Sequence, residues 1–306
     1  ESSVLFGVGV APALTDAMLQ NRSFSEKTLL SSLCSDLQTL LNQGCLGFES
    51  RRNCGMLADG LTQQQRMPST QHKPDRVRTV VTGRGVRILQ NGVVLSEVLA
   101  KPGPTHSVFD VLAAAVCCHS NGSRLALLGF EGGGILGPLR ALGSVHSIAA
   151  VDVSDRSYGV FQRLCGSWCG RVEFHHRDAE AWLRGTRSRF DAIIEDISLA
   201  AGRRVFQPDM VWHTLPRLVR ARLRPSGIAV FNLLKPEVTS LKSVVREIAC
   251  HFSGAYMIEF DDFENRILVA GVNRGATRSA SHRIRTLLAI LGSRLASRIS
   301  VGTVGG

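Results

Sequence analysis

Three aspartates and one run of glycines have the residue types and spacing that chemistry on a nucleotide-like ligand would need. In LALLGFEGGG, residues 125–134, an apolar run leads into Gly129, Phe130, Glu131, Gly132, Gly133 and Gly134. Residues lacking a Cβ let a backbone approach a ligand closely, and they serve tight structural turns equally well. Asp152 closes the apolar run IAAVD, a place where a carboxylate can accept both hydroxyls of a ribose or cap a helix. Asp178, in HHRDAEAWL, can accept from an adenine amino group or cap the helix that follows it. Asp196 comes directly after DAIIE, where a reacting group would be met, with Glu195 as a second acid beside it.

These residues meet only if the chain between them folds as alternating strands and helices. Strands are expected at residues 125–130, 147–152, 172–175, 190–195 and 227–233, and helices at 135–142, 156–165, 179–183, 209–223 and 237–252. That alternation indicates an open, mainly parallel sheet covered on both faces. Ligands of such a sheet lie across the carboxyl ends of its strands. Two further strands, 255–260 and 266–270, are joined by too short a connection for a crossover and must pair antiparallel. The expected fold is therefore α/β, a doubly wound, Rossmann-like sheet of the class I methyltransferase kind with a terminal antiparallel hairpin. Ahead of it, β-prone runs at 77–81, 86–90 and 93–98 predict a small antiparallel sheet, the last two joined by the hairpin signal Asn91-Gly92. A helix over 107–118 follows, with Thr105 or Ser107 near its N-cap.

At 306 residues and 44% hydrophobic content the chain can bury a real core. No run approaches the roughly 18 apolar residues of a membrane span. The net charge of +11 suggests an acidic partner, but the excess is uneven. No acid follows Glu264, whereas Arg266, Arg274, Arg278, Arg283, Arg285, Arg294 and Arg298 do. Eight cysteines without a CxxC pair fit reduced thiols in a cytoplasmic setting. Cys165, Cys169, His175 and His176 do not suggest zinc, because adjacent histidines on a strand face opposite sides. No metal is expected. The division expected is an extension over 1–75, helical at 25–41, a β-hairpin subdomain over 76–104, the Rossmann-like domain over 105–273 and a basic amphipathic tail over 274–306. The chain begins at Glu1 and reads as a processed or partial product.

As an ordered set, RILQNGVVLSEV, the glycine loop, VDVS, RDAEAWL, RFDAIIEDIS, VFNLL and ENRILVAG resemble the spermidine synthase-like family of class I S-adenosylmethionine-dependent methyltransferase-fold proteins, over residues 77–272. The resemblance implies that Gly129 to Gly134 wraps the methionine part of S-adenosylmethionine or its decarboxylated form. It also implies that Asp152 holds the ribose, that Asp178 with Ala179 meets the adenine, and that His106 lies near the histidine of the family's Tyr-His-Glu signature. Two departures bear on the reaction. The family's GGGDGG is GFEGGG here, with Glu131 in place of a glycine and Gly132 in place of the aspartate, and its Asp-Ser-Ser-Asp run is Asp196-Ile197-Ser198-Leu199. Aminopropyl transfer needs a cationic diamine held and deprotonated, work suited to carboxylates. The expected function is accordingly methyl transfer to an unidentified protein or small-molecule acceptor, positioned by Asp196 with His106 as a candidate base. An aminopropyltransferase with an atypical site and a non-catalytic binding module are the alternatives. A homodimer is a further expectation. In the tail, a helix over 281–300 with Ile284, Leu287, Leu288, Leu291, Leu295 and Ile299 on one side suits an anionic membrane surface, an acidic partner or packing onto the domain.

Overall fold

Asn91 and Gly92 both take positive φ, 53° and 87°, the backbone that lets a two-residue turn match the twist of its strands. They join β2 (Gly85–Gln90) to β3 (Val93–Leu99), and β1 (Val77–Thr82) pairs antiparallel with β2 to complete a three-stranded sheet. This is a computed structural model, and it describes residues 77–120, 122–201, 204–273 and 277–304. The expected extension over 1–75, with its helix at 25–41, lies outside the described residues.

Helix α1 (Val108–His119) begins where Ser107 accepts from the Phe109 N–H, as its type at an N-cap predicts. The alternation then runs β4 (Arg124–Leu128), α2 (Leu136–Ala141), β5 (Ser147–Asp152), α3 (Tyr158–Cys165), β6 (Val172–His176), α4 (Ala179–Gly185) and β7 (Phe190–Glu195). Next come a small hairpin, β8 (Leu199–Ala201) with β9 (Arg204–Phe206), then α5 (Met210–His213), α6 (Leu215–Arg222) and β10 (Leu223–Leu233). The single helix expected over 209–223 is two, because Pro216 can occupy only the first turn of a new helix. After α7 (Leu241–Ala249), β11 (Ala255–Phe260) and β12 (Arg266–Ala270) form the predicted antiparallel pair.

The eight-stranded sheet has the order β6-β5-β4-β7-β10-β12-β11-β13, the last being Ile299–Thr303. Pairing is parallel from β6 through β10 and antiparallel beyond. From β4 the chain progresses outward to β5 and β6, then returns to place β7 on the other side, so the switch point lies between β4 and β7. Helices α1, α2 and α8 (Thr277–Leu291) form one pack and α4 to α7 another, as a sheet covered on both faces requires. Ile193, Phe231, Leu218, Val219, Ile248 and Trp182 are among the buried side chains of the core.

Residues 277–304 pack onto the domain. The helix expected over 281–300 stops at Leu291, where Gly292 turns to φ 73°, a left-handed helix end that glycine reaches without penalty. A 3₁₀ turn (Arg294–Ser297) then leads into β13 (Ile299–Thr303), which pairs with β11 as the sheet's edge. Ile284, Leu288, Leu291, Leu295 and Ile299 are buried, and α8 packs against α1. Among the described residues no helix is long and apolar enough to cross a membrane.

Candidate functional site

At the switch point the strand ends are laced together by main chain. The Asp196 N–H donates to the Leu128 carbonyl at 2.8 Å, and the Gly129 N–H to the Val151 carbonyl at 2.9 Å. Gly129 has φ 84°, and a Cβ there would overlap the Asp196 carbonyl. Only glycine therefore lets β4 turn away this close to the end of β7.

Asp152, at the end of β5, holds that turn. Its Oδ2 accepts from the N–H groups of Phe130 (2.8 Å) and Glu131 (2.9 Å), and its Oδ1 from that of Ser154 (2.9 Å). A carboxylate offers roughly four lone-pair positions, so three such bonds leave room for about one more partner. The same contacts hold Glu131 at φ 30°, strained for a residue with a Cβ. The Glu131 Oε1 accepts from the Ser157 hydroxyl at 3.1 Å. Burial, and then the charge of Asp152, push the Glu131 carboxyl above its ordinary range.

Beyond Glu131 the glycines face the protein itself. A Cβ on Gly132 would strike Ile88, one on Gly133 the Phe130 ring, and one on Gly134 Ser96 and Phe109. The absences at Gly132 and Gly134 let the three-stranded sheet and α1 close on the loop. Gly132, Gly133 and Gly134 are not among the residues lining the cavity at the strand ends, and protein atoms stand where their Cβ atoms would be.

Gly129, Glu131, Asp152, Asp178, Ala179 and Asp196 do line it, in a cavity of about 860 Å³ at the carboxyl ends of the strands. Asp178 caps α4, accepting from the Ala181 N–H at 2.9 Å, while it stands on the cavity wall. The β8–β9 hairpin, which the sequence reading left without an element, adds Leu199, Ala200 and Phe206 to that wall. A second cavity of about 450 Å³ contains His106, Ser107, Asn232 and Asn265. Leu95, Asp196, Ile197 and Ser198 belong to both cavities, which places Asp196 at their junction.

Asp196 is held by side chains that the sequence reading did not single out. Its Oδ1 accepts from the Asn232 amide at 2.6 Å, and the Asn232 Oδ1 accepts from the Asn265 amide at 2.9 Å. Gln207 braces the same strand end, donating to the Asn232 carbonyl at 2.7 Å and accepting from the Leu234 N–H at 2.7 Å. One signal was present, a lone amide inside the apolar run VFNLL. Burial pushes the Asp196 carboxyl up to about 7, against the Asn232 hydrogen bond and with the charges of Asp152 and Glu131 adding to the rise. A carboxyl poised there can take a proton near neutrality. Behind it, Glu195 is buried, its Oε1 accepting from the Ile197 N–H at 2.8 Å, and burial holds it well above the usual carboxylate range.

His106 stands on the wall of the smaller cavity at φ 58°. Buried Asp110 pins that conformation by accepting from the N–H groups of Thr105 (2.8 Å) and His106 (2.9 Å) and from the Thr105 hydroxyl (2.7 Å). The His106 Nδ1 is buried and has no hydrogen-bond partner among the described residues. A buried ring nitrogen left unpaired is costly unless something else meets it.

No family model and no curated protein matches the chain. Solved structures do. A probable spermidine synthase from Corynebacterium glutamicum superposes with a TM-score of 0.57 at 16% identity, covering 76% of this chain and 88% of that one. Human methyltransferase-like protein 13, in complex with SAH, gives 0.51 at 18% identity, covering 60% and 92%. Spermidine synthase from Thermotoga maritima gives 0.50 at 15%, covering 74% and 87%. The likeness extends over most of each neighbour's length and, at such identities, concerns the fold. Together with the strand order and the small leading sheet, it shows that this chain has the class I methyltransferase fold, which those methyltransferase and spermidine synthase structures share.

Proposed function

We propose that the chain is an S-adenosylmethionine-dependent methyltransferase, with the cofactor in the larger cavity and the acceptor in the smaller. The observation that carries this reading is the meeting of the two cavities at Asp196, a carboxyl fixed by Asn232. The larger cavity has the volume of a cofactor site, which typically spans about 300–1,000 Å³. Its wall offers the Asp178 carboxylate and the remaining acceptor capacity of Asp152 to a nucleoside, and the Gly129 backbone lies open beside them. The bound cofactor supplies a methyl group already activated on a sulfonium. The protein's share is placement, exclusion of water and a proton acceptor. Asp196 receives the proton that the acceptor gives up, and His106 contributes to the wall against which the acceptor packs.

The same geometry weakens the aminopropyltransferase reading. Leu199, which takes the place of the family's second carboxylate, carries no charge. Calorimetric titration tests the proposal. S-adenosylmethionine and its demethylated product are expected to bind, the decarboxylated form more weakly, and Asp152→Ala to lose at least about tenfold in affinity because the turn it holds is released. Absence of binding by both the cofactor and its product overturns the reading.

A further inference from the structure

We propose that the acceptor carries an anionic group, which Arg294 seats on the wall of the smaller cavity. This rests on the reading that an acceptor occupies that cavity, and it names the acceptor's chemistry. Arg294 comes from the 3₁₀ turn between α8 and β13, and its backbone is fixed on both sides. Ser293 before it is buried and its hydroxyl accepts from the Leu295 N–H at 3.3 Å, while Leu295 after it is fully buried. The guanidinium itself is exposed, lines the cavity, and has no hydrogen-bond or ion-pair partner among the described residues.

Its neighbours are different. Arg298 pairs with Asp262 at 2.5 Å, Arg266 with Glu259 at 3.3 Å, and Arg285 donates to the carbonyls of Ala296 and Ile299. Arg294 faces open space, and that space is a cavity whose wall also holds Asp196.

Of the two carboxylates on the same wall, only Asp196 is without an arginine partner. Glu97 is buried and already lies between two guanidiniums, Arg84 at 3.4 Å and Arg87 at 3.7 Å, which leaves that cluster one positive charge in excess. Asp196 shares its Oδ1 with Asn232 and is the single remaining acid on the wall. A diamine with one ammonium at Asp196 would find no carboxylate free of an arginine partner on this wall for the other. A molecule with a nucleophile at one end and a carboxylate or phosphate at the other would meet Asp196 and Arg294 in turn. Guanidinium recognises both anions through charge-assisted, often bidentate, hydrogen bonds.

Three probes of similar length and one shared amine separate the alternatives: 4-aminobutanoate, 3-aminopropyl phosphate and 1,4-diaminobutane. Each is titrated calorimetrically into the full chain, with and without S-adenosylhomocysteine. At least one anionic probe is expected to bind about tenfold or more tightly than the diamine, and the order of the two identifies carboxylate or phosphate. Arg294→Glu is expected to abolish or invert that preference while leaving the unfolding midpoint unchanged, since the side chain is exposed, and Arg294→Lys to keep most of it. Equal or tighter binding of the diamine, binding of none of the three, or a preference unaltered in Arg294→Glu overturns the proposal. Failure of S-adenosylhomocysteine to bind overturns the methyltransferase reading alone, because the probe preference is also measured on the chain without it.

Discussion

Asp196 is the residue on which the proposed chemistry turns, and its burial sets its protonation. A carboxyl raised to about 7 is half ionised near neutrality, so a rate that needs the carboxylate climbs with pH and levels off above about 7. Asp196→Asn is expected to remove that limb and lower kcat by roughly a hundredfold or more. The stability consequence has a definite sign. The folded state binds this proton more tightly than the unfolded state does, so stability is lost as pH rises from about 4 through about 7. The Asn variant, which keeps an oxygen for Asn232 and carries no charge, is therefore expected to unfold at a higher temperature than the parent at pH 8. The gap should shrink toward pH 4. Thermal unfolding at the two pH values checks this, and a lower midpoint for the variant at pH 8 would show that the buried charge is not a burden.

The loop after β4 does two jobs with one kind of residue, and only the surroundings tell them apart. At Gly129 the constraint is the Asp196 carbonyl, and at Gly132 it is the Ile88 side chain. Gly129→Ala is thus expected to push the Asp196 turn out of place and cost about 2–4 kcal/mol, combining a positive φ with a backbone clash. Gly143, also at positive φ (78°) but with nothing near its Cβ position, provides the comparison. Gly143→Ala should cost only about 1–2 kcal/mol and spare cofactor binding. Chemical denaturation with a parallel binding titration separates the two, and equal losses of affinity would contradict the assignment. Glycine counting along LALLGFEGGG cannot make this distinction, because the neighbours that decide it come from β2, β7 and α1.

At the scale of the whole molecule, the C-terminal segment closes the sheet. Five large apolar side chains from Ile284 to Ile299 are buried, each contributing about 1.5–3 kcal/mol. Together they rival the net stability of an ordinary domain, about 5–15 kcal/mol. A chain ending at residue 273 would also leave β11 without its β13 partner. Such a truncation is expected to lose cooperative unfolding in calorimetry and to aggregate through the uncovered strand edge. A sharp transition retained in the shortened chain would show the segment to be an appendage. Since its apolar side already faces α1, the intact protein is expected not to float with anionic lipid vesicles.

The alternation of strands and helices, the hairpin turn at Asn91-Gly92 and the acids at the ends of β5 and β7 were legible in the sequence alone, because they depend on local period, turn chemistry and the position of a polar residue closing an apolar run. The roles of Asp152 and Asp178 were only half legible. Both stand on the cavity, yet both also satisfy backbone N–H groups, and a sequence cannot say how a carboxylate divides its lone pairs. Asn232, Asn265, Gln207 and Arg294 were out of reach, being separated along the chain and brought to one place by the pairing of β10, β12, β11 and β13. Sequence thus determined the frame and where its active end must lie. Tertiary structure alone decided which side chains share that end, because their proximity is set by long-range strand pairing, which local pattern does not encode.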